Sequence, residues 1–261
     1  MKTIFVRQYD AFGDWISING LIRYLIKKYH YTKVYLVLEH NETRKDFVNL
    51  FYDDDPRIET IMDYQFQSIC TSDCDVIDTR VNEWHPKVLS RSYWSVENPL
   101  ENYIHFGPAS NSDNFYLKLG VDPLIKNQYF FFSRKLDLEN NLFDTLGLKK
   151  PYSVVCDYGE NLIDRKYIKY SNVVNIHNIS PNLVDILKII QNSDDIHFIE
   201  NTVSLFVYHL QAANLLDSFK VNLHAYARKE PHRRCDGSDC NNLYLNMVLL
   251  PKLNNWEFIW K

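Results

Sequence analysis

The stretch Thr3-Ile4-Phe5-Val6-Arg7-Gln8-Tyr9-Asp10-Ala11-Phe12-Gly13-Asp14 decides the fold class of this chain. Residues 3–9 are short, β-branched and aromatic, which predicts a buried strand, and the polar turn at residues 10–14 ends it. Apolar side chains then recur every three or four residues, as on one face of a helix that ends in basic residues: Trp15, Ile18, Ile22, Leu25, Ile26 and Tyr29. We therefore expect a strand, a loop and one helix in this order.

The same alternation continues along the first half of the chain. Apolar runs predict strands at residues 34–38, 58–62 and 74–78, with a helix at residues 43–51. Strands that alternate with helices predict a parallel, doubly wound sheet.

A second α/β series follows a helix predicted at residues 137–146, which Gly147 closes as its C-cap. Its strands are predicted at residues 152–156, 173–176, 196–199 and 221–226. One of its helices is predicted to begin at Ser180-Pro181, an N-cap followed by proline. Another is predicted to span residues 202–216. We expect two Rossmann-like α/β domains facing across a cleft, at residues 1–125 and 126–261, the second one reduced.

Composition and charge argue against several classes of function. The chain has 261 residues, 29 Lys and Arg against 33 Asp and Glu, and a net charge of −4, so nucleic acid is not an expected partner. Only 7 residues are glycine, and no glycine-rich phosphate loop can be written from them. The 5 cysteines are an odd set, which favours reduced thiols and a cytoplasmic location. No apolar run is long enough to predict a transmembrane segment.

Two loops carry the groups that a transfer reaction needs. Asp14 lies at the predicted mouth of the first sheet, where ligands of parallel sheets bind. In the second half, a helix start after a strand suits a diphosphate through its N–H groups and dipole. Its side chains include the Thr202 and Ser204 hydroxyls as further donors, and Glu200 as an acceptor for a ribose hydroxyl.

Four blocks of the sequence resemble a known family. Residues 4–16 look like its strand, arginine and glycine-aspartate loop, and residues 112–122 look like its interdomain stretch. Residues 146–155 and 183–213 are similar to the two parts of its nucleotide-sugar domain. The family is that of the heptosyltransferase-like glycosyltransferases, family nine, which have a GT-B fold.

The resemblance implies an inverting glycosyltransferase that moves a sugar from a nucleoside-diphosphate sugar to a glycan or other hydroxyl acceptor. It implies no metal and no other cofactor. Asp14 corresponds to the catalytic base, Asn201 and Thr202 to the phosphate-binding pair, and Arg165 or Lys166 to a basic residue after the first C-terminal strand.

The acceptor side is expected to include Asp10, Gly13 and Trp94, with Trp94 one of several aromatic residues able to stack on sugar rings. The sequence departs from the family pattern in the donor segment. Asn201, Val203 and Phe206 stand where the family has Asp, Gly and His.

Several alternatives stay open at this stage. Asp14 has an alternative interpretation as the N-cap of the first helix, and His209 is favoured as a packed side chain. Asp53-Asp54-Asp55 is a metal candidate that is better explained as a turn. Cys70 with Cys74, and His232 with Cys235 and Cys240, are favoured as loop residues rather than zinc ligands. For the whole chain, an inactive GT-B-like module that binds a sugar or a partner, and a nucleotide-sugar epimerase, compete with the transferase.

Overall fold

A computed structural model describes residues 2–8, 11–39, 42–71, 73–79, 115–116, 119–159, 162–179, 183–199, 201–224 and 255–259. The chain divides into two compact units, residues 1–133 and residues 134–261. Each unit has its own parallel sheet.

The first unit is a four-stranded parallel sheet in the order β3-β2-β1-β4. Its strands are β1 (Thr3–Arg7), β2 (Lys33–Leu38), β3 (Ile58–Met62) and β4 (Asp75–Asp78). Its helices are α1 (Phe12–Ser17), α2 (Asn19–Tyr29), α3 (Glu42–Tyr52), α4 (Asp63–Ile69) and α5 (Ile125–Tyr129).

Burial of both faces holds this sheet together. In β1, Ile4, Phe5 and Val6 are at most 1% exposed, as expected for the central strand of a parallel sheet. The Phe5 ring stacks on Tyr35 at 4.9 Å between centroids and meets Phe66 edge-on at 5.2 Å. Strand β1 therefore anchors β2 and the helix α4 to one core.

The second unit is a five-stranded parallel sheet in the order β6-β5-β7-β8-β9. Its strands are β5 (Ser153–Cys156), β6 (Val173–Asn175), β7 (Asp195–Phe198), β8 (Val221–His224) and β9 (Trp256–Ile259). Its helices are α6 (Leu136–Leu146), α7 (Leu187–Asn192) and α8 (Thr202–Ala212), with short 3₁₀ turns at Arg165–Tyr167 and Ile176–Asn178.

The mixed α/β class with parallel sheets is confirmed, and most predicted strands agree with the structure to within two residues. Gly147 ends α6 in the left-handed conformation, with φ 55°, as the C-cap prediction requires. Between β5 and β6 the described residues form a 3₁₀ turn instead of an α-helix. Strand β9 was not predicted. No helix in the described part of the chain is long and apolar enough to cross a bilayer.

Two helix boundaries in the second unit differ from the prediction. Ser180 and Pro181 lie outside the described residues, and α7 begins only at Leu187, after a turn. The turn before α7 is nonetheless packed into the core, since Val184 and Ile186 are at most 1% exposed. Helix α8 ends at Ala212, and Asn214 then takes a left-handed conformation with φ 57°.

The single helix predicted after β1 is wrong, because the structure has two helices that meet at Ile18. The hydroxyl of Tyr116 inserts at this break. It donates a hydrogen bond to the Ser17 carbonyl at 2.9 Å and accepts one from the Leu21 N–H at 3.0 Å. These two backbone groups would pair with each other in a continuous helix, so a side chain has replaced one rung of the helical ladder.

We predict that Tyr116→Phe lowers the free energy of unfolding by about 1–3 kcal/mol, because it leaves two buried backbone groups without their shared partner. Urea denaturation followed by circular dichroism measures the change. Tyr64→Phe, at a tyrosine that is 69% exposed, is the matched control and should leave the midpoint unchanged. Equal stability of Tyr116→Phe and the wild type would show that the helix closes without the hydroxyl.

Candidate functional site

Each sheet has one place where the order of strands reverses. In the first sheet it lies between β1 and β4, and in the second between β5 and β7. Loops leave such a point in opposite directions, which opens a crevice at the carboxyl ends of the strands where ligands bind. The two carboxyl edges are therefore where we expect ligand-binding residues.

Asp14 lies at the carboxyl edge of the first sheet, as expected. Its alternative interpretation as an N-cap is wrong, because Ala11 is the N-cap of α1 and Asp14 is the third residue of the helix. The Asp14 N–H donates to the Ala11 carbonyl at 3.0 Å, and the residue is half-buried. Asp14 therefore lies in the first turn of α1, where the helix dipole interacts favourably with a negative charge.

The other acceptor-side residues have different outcomes. The Gly13 carbonyl accepts a hydrogen bond from the Ser17 hydroxyl at 2.8 Å, which holds the start of α1. Asp10 and Trp94 lie outside the described residues, as do Trp84, Tyr93 and Tyr103, the other aromatic residues expected to be able to stack on sugar rings.

Arg7 occupies the end of β1 at the same edge. Its guanidinium pairs with Asp63 at 2.6 Å, lies 4.0 Å from Asp78 and covers the Phe66 ring at 5.2 Å. The Arg7 carbonyl accepts hydrogen bonds from the Thr79 hydroxyl and N–H, at 2.9 Å and 3.0 Å. A fixed positive charge thus sits where the strand order reverses, a role that the sequence pattern alone does not assign.

At the carboxyl edge of the second sheet, Asn201 is the N-cap of α8. Its side-chain oxygen accepts the Ser204 N–H at 3.0 Å, and the Ser204 hydroxyl accepts the Asn201 N–H at 2.9 Å. The Asn201 amide also donates to the Cys156 sulfur at 3.0 Å, which ties the start of α8 to the end of β5.

This capping box determines which groups remain for a ligand. Ser204 is fully buried and its hydroxyl is engaged in the cap. The N–H groups of Thr202 and Val203 occupy the first two helical positions, which have no acceptor inside the helix. An anion at this helix start would therefore meet backbone amides and the Thr202 side chain.

Arg165 and Lys166 form part of the 3₁₀ turn that follows the β5 loop. The Asp164 carboxylate caps this turn by accepting the Lys166 N–H at 3.2 Å. The side chains of Arg165 and Lys166 are 57% and 63% exposed, and each lies beside a carboxylate, at 3.6 Å from Asp157 and 3.0 Å from Asp164. Both cations are accessible to a ligand.

Asp157 organises the β5 loop. It is 1% exposed, and its carboxylate accepts the Ile163 N–H at 3.0 Å and the Asn175 amide at 2.7 Å. The neighbouring Cys156 thiol is buried, and burial raises its pKa to about 12, against the opposing hydrogen bond from Asn201. A thiol with such a pKa is neutral and is not a nucleophile.

A buried chain of titratable groups crosses the second sheet, and sequence reasoning did not find it. His197 contacts the Asp195 carboxylate through Nε2 and the His224 ring through Nδ1, both at 2.8 Å. Burial acts to raise the pKa of Asp195, but hydrogen bonds from the Lys169 N–H and the His197 ring hold it below its ordinary value. In the sequence, the alternation of polar and apolar residues in β7 was the pattern that could have indicated this buried chain.

The remaining candidates are accounted for as follows. Asp54 is paired with Arg23, and Asp55 with Arg57, so these carboxylates are held in ion pairs. Among the described residues no group of three His, Cys, Asp or Glu is arranged to hold a metal ion. His209 is fully buried, and Cys70 and Cys74 are half-buried thiols that form no disulfide. Glu200, His232, Cys235 and Cys240 lie outside the described residues.

Comparison with known proteins gives one distant likeness. No protein-family model matches the chain, and no curated protein matches it. The fold is similar to the crystal structure of the glycosyl transferase family 9 from Veillonella parvula DSM 2008, with 8% sequence identity and a TM-score of 0.39. The match covers 85% of this chain and 79% of that one. A likeness this distant does not assign the chain to that family.

The histidine chain predicts a pH dependence of stability. Burial, together with the His197 ring, lowers the pKa of His224 to about 4. Above about pH 6.5, His224 is neutral in the folded and the unfolded chain and has no effect. As the pH falls from there towards 4, only the unfolded chain binds the proton, so the free energy of unfolding falls by roughly 1–3 kcal/mol.

Replacing the histidine tests this assignment. We expect His224→Asn to remove that part of the pH dependence between pH 6.5 and pH 4, measured as urea midpoints at a series of pH values. The control is His30→Asn, at an exposed histidine with φ 57°, which should keep the pH dependence of the wild type. A slope in His224→Asn as steep as in the wild type would contradict the assignment.

Proposed function

We propose that this chain is a glycosyltransferase that moves a sugar from a nucleoside-diphosphate sugar to a hydroxyl of a glycan or other acceptor, with inversion and without a metal ion. One observation supports it above the others: the carboxyl edge of each parallel sheet has groups that this reaction needs. Asp14 lies at the edge of the first sheet. Arg165, Lys166 and the start of α8 follow strands at the edge of the second.

In this proposal the first domain, residues 1–125, binds the acceptor. Asp14 takes the proton from the acceptor hydroxyl as its oxygen attacks the anomeric carbon, a contribution typically worth about 10²–10⁴ in rate. Attack on the face opposite the leaving diphosphate inverts the configuration at that carbon. Asp10, Gly13 and Trp94 are the residues proposed to position the acceptor.

The second domain, residues 126–261, binds the donor. The leaving diphosphate gains negative charge as the glycosidic bond breaks, and Arg165 and Lys166 neutralise that charge. The Thr202 hydroxyl and the amides at the start of α8 donate hydrogen bonds to phosphate oxygens, with Asn201 positioning them. Glu200 accepts a hydrogen bond from the ribose. We propose that the two domains face each other across a cleft, as in the GT-B arrangement.

A second candidate is a module that binds a nucleotide or sugar without turnover. The capping box favours it, because the side chains of Asn201 and Ser204 already bond to each other's backbone and leave fewer groups for the donor. Binding without turnover would distinguish this module from the transferase.

We predict that Asp14→Asn lowers turnover of a donor by at least about 10²-fold and leaves the affinity for nucleoside diphosphate unchanged, because it removes the base and keeps the side-chain shape. The measurement is release of nucleoside diphosphate from a panel of nucleotide sugars, with binding followed by calorimetry. Asp46→Asn, the same change at an exposed position of α3, is the control. Unchanged turnover in Asp14→Asn would remove Asp14 from the role of base.

We predict that the double variant Arg165→Gln with Lys166→Gln weakens binding of UDP, ADP, GDP or CDP, whichever binds the wild type, by about tenfold or more. Each lost charge-assisted hydrogen bond to a phosphate accounts for a large part of that factor. Calorimetric titration measures it. Lys149→Gln, an exposed lysine ahead of β5, tests whether overall charge alone explains the loss. Equal affinity of the double variant and the wild type would place the diphosphate elsewhere.

A further inference from the structure

A cavity of about 640 Å³ opens at the amino edge of the first sheet, opposite the edge that holds Asp14. Its walls come from α2 and from the two turns that lead into β2 and β3. The lining residues are Arg23, Ile26, Lys27, His30, Tyr31, Thr32, Asp55 and Arg57. This volume suits a small organic molecule, since such ligands occupy cavities of about 300–1,000 Å³.

The lining carries an excess of positive charge. Arg23, Lys27 and Arg57 are cationic, whereas Asp55 is the acidic residue among the described lining residues. Asp54 lies behind Arg23 and holds it with two hydrogen bonds of 2.8 Å. Counting both carboxylates, the three cations leave one net positive charge before any contribution from His30, so the cavity attracts anions.

Arg57 is fixed in place at the rim. Its Nε and Nη2 donate to Asp55 at 2.8 Å and 2.7 Å, and its backbone N–H donates to the same carboxylate at 3.1 Å. These bonds from Arg57 hold the pKa of Asp55 below its ordinary value, so the pair stays ionised. Because Nη1 takes no part in the pair and the side chain is 49% exposed, a clamped guanidinium edge faces solvent.

Lys27 is the second exposed cation of the cavity. Its ammonium group lies 5.4 Å from the centre of the Tyr129 ring, which orients it without neutralising its charge. Ile26 and Tyr31, each 3% exposed, form an apolar floor, and the Tyr31 hydroxyl is bonded to Asp75 at 2.6 Å. The cavity thus joins an apolar floor to a cationic rim.

We infer that this cavity is a binding site for a ligand that carries a phosphomonoester on a small organic group. A guanidinium edge and a lysine suit the phosphate oxygens, and the apolar floor suits the organic part. The phosphomonoester belongs either to a soluble metabolite, such as a sugar phosphate, or to a lipid headgroup. The site is separate from both carboxyl edges and does not depend on the proposed transfer reaction.

The experiment uses the full chain with probes from each source. Calorimetry measures binding of inorganic phosphate, of glucose 6-phosphate and of glucose, and sedimentation measures binding to phosphatidylcholine vesicles with and without phosphatidic acid. We expect glucose 6-phosphate, or phosphatidic acid vesicles, to bind more tightly than the matching probe without the phosphomonoester. Binding of glucose 6-phosphate identifies a soluble source, and binding to phosphatidic acid vesicles alone identifies a lipid.

Two lysine variants assign the binding to the cavity. Lys27→Gln should weaken binding of the active probe by about tenfold. Lys28→Gln removes the same charge from the next residue of α2, which does not line the cavity, and should weaken it less than about twofold. Arg57→Lys keeps the charge but loses the planar edge, and should also weaken binding by several fold.

Three outcomes would overturn the inference. They are the absence of binding to every phosphorylated probe, equal losses in Lys27→Gln and Lys28→Gln, and equal binding of the active probe and its counterpart without the phosphomonoester. The Arg165→Gln and Lys166→Gln double variant should bind these probes like the wild type, so failure of the donor-site proposal is recognised separately.

Discussion

Parallel pairing of buried strands is the constraint on which the rest of this structure depends. A strand buried on both faces must satisfy its backbone N–H and C=O groups through neighbouring strands, because no water reaches them. In β1, residues 3–7 pair with β2, and residues 4–7 pair with β4. Since all strands of a sheet then run in the same direction, their carboxyl ends share one edge and their amino ends the other. This shared direction places Asp14 at the carboxyl edge of the first sheet and the cationic cavity at the opposite, amino edge.

Charged groups at these edges are held by specific partners. Arg7 is fixed by Asp63, Arg57 by Asp55, and Asp157 by hydrogen bonds from the Asn175 amide and the Ile163 N–H. Buried or half-buried charges need such partners, because desolvation without them costs several kcal/mol. The partners also fix geometry, so the same bonds that permit burial hold these side chains in one orientation.

Strands and helix ends with local signals were predictable. The strand Ile58–Met62 agrees at both ends, because β-branched residues bounded by a turn mark it without reference to the rest of the chain. The same holds for the cap of α6 at Gly147, which needs only a residue tolerant of positive φ. The helix break at Ile18 was not predictable, because its cause is the hydroxyl of Tyr116, which comes from a distant part of the sequence. The requirement for glycine at position 20 was not predictable either. A Cβ on Gly20 would overlap the Lys126 carbonyl oxygen, and this close approach arises only from the packing of α2 on α5.

The sequence by itself determined the α/β class, the order of the first eight strands, and the segments after these strands that hold Asp14, Arg165 and Asn201. Those features follow from periodicity and turn chemistry within a few neighbouring residues. Only the tertiary structure decided which of these side chains are engaged. It tied Asn201 to Cys156, joined Asp195, His197 and His224 in one buried chain, and gathered Lys27 and Arg57 around a cavity. Each of these contacts depends on the register and packing of elements that are far apart in sequence, and residue spacing along the chain carries no such information.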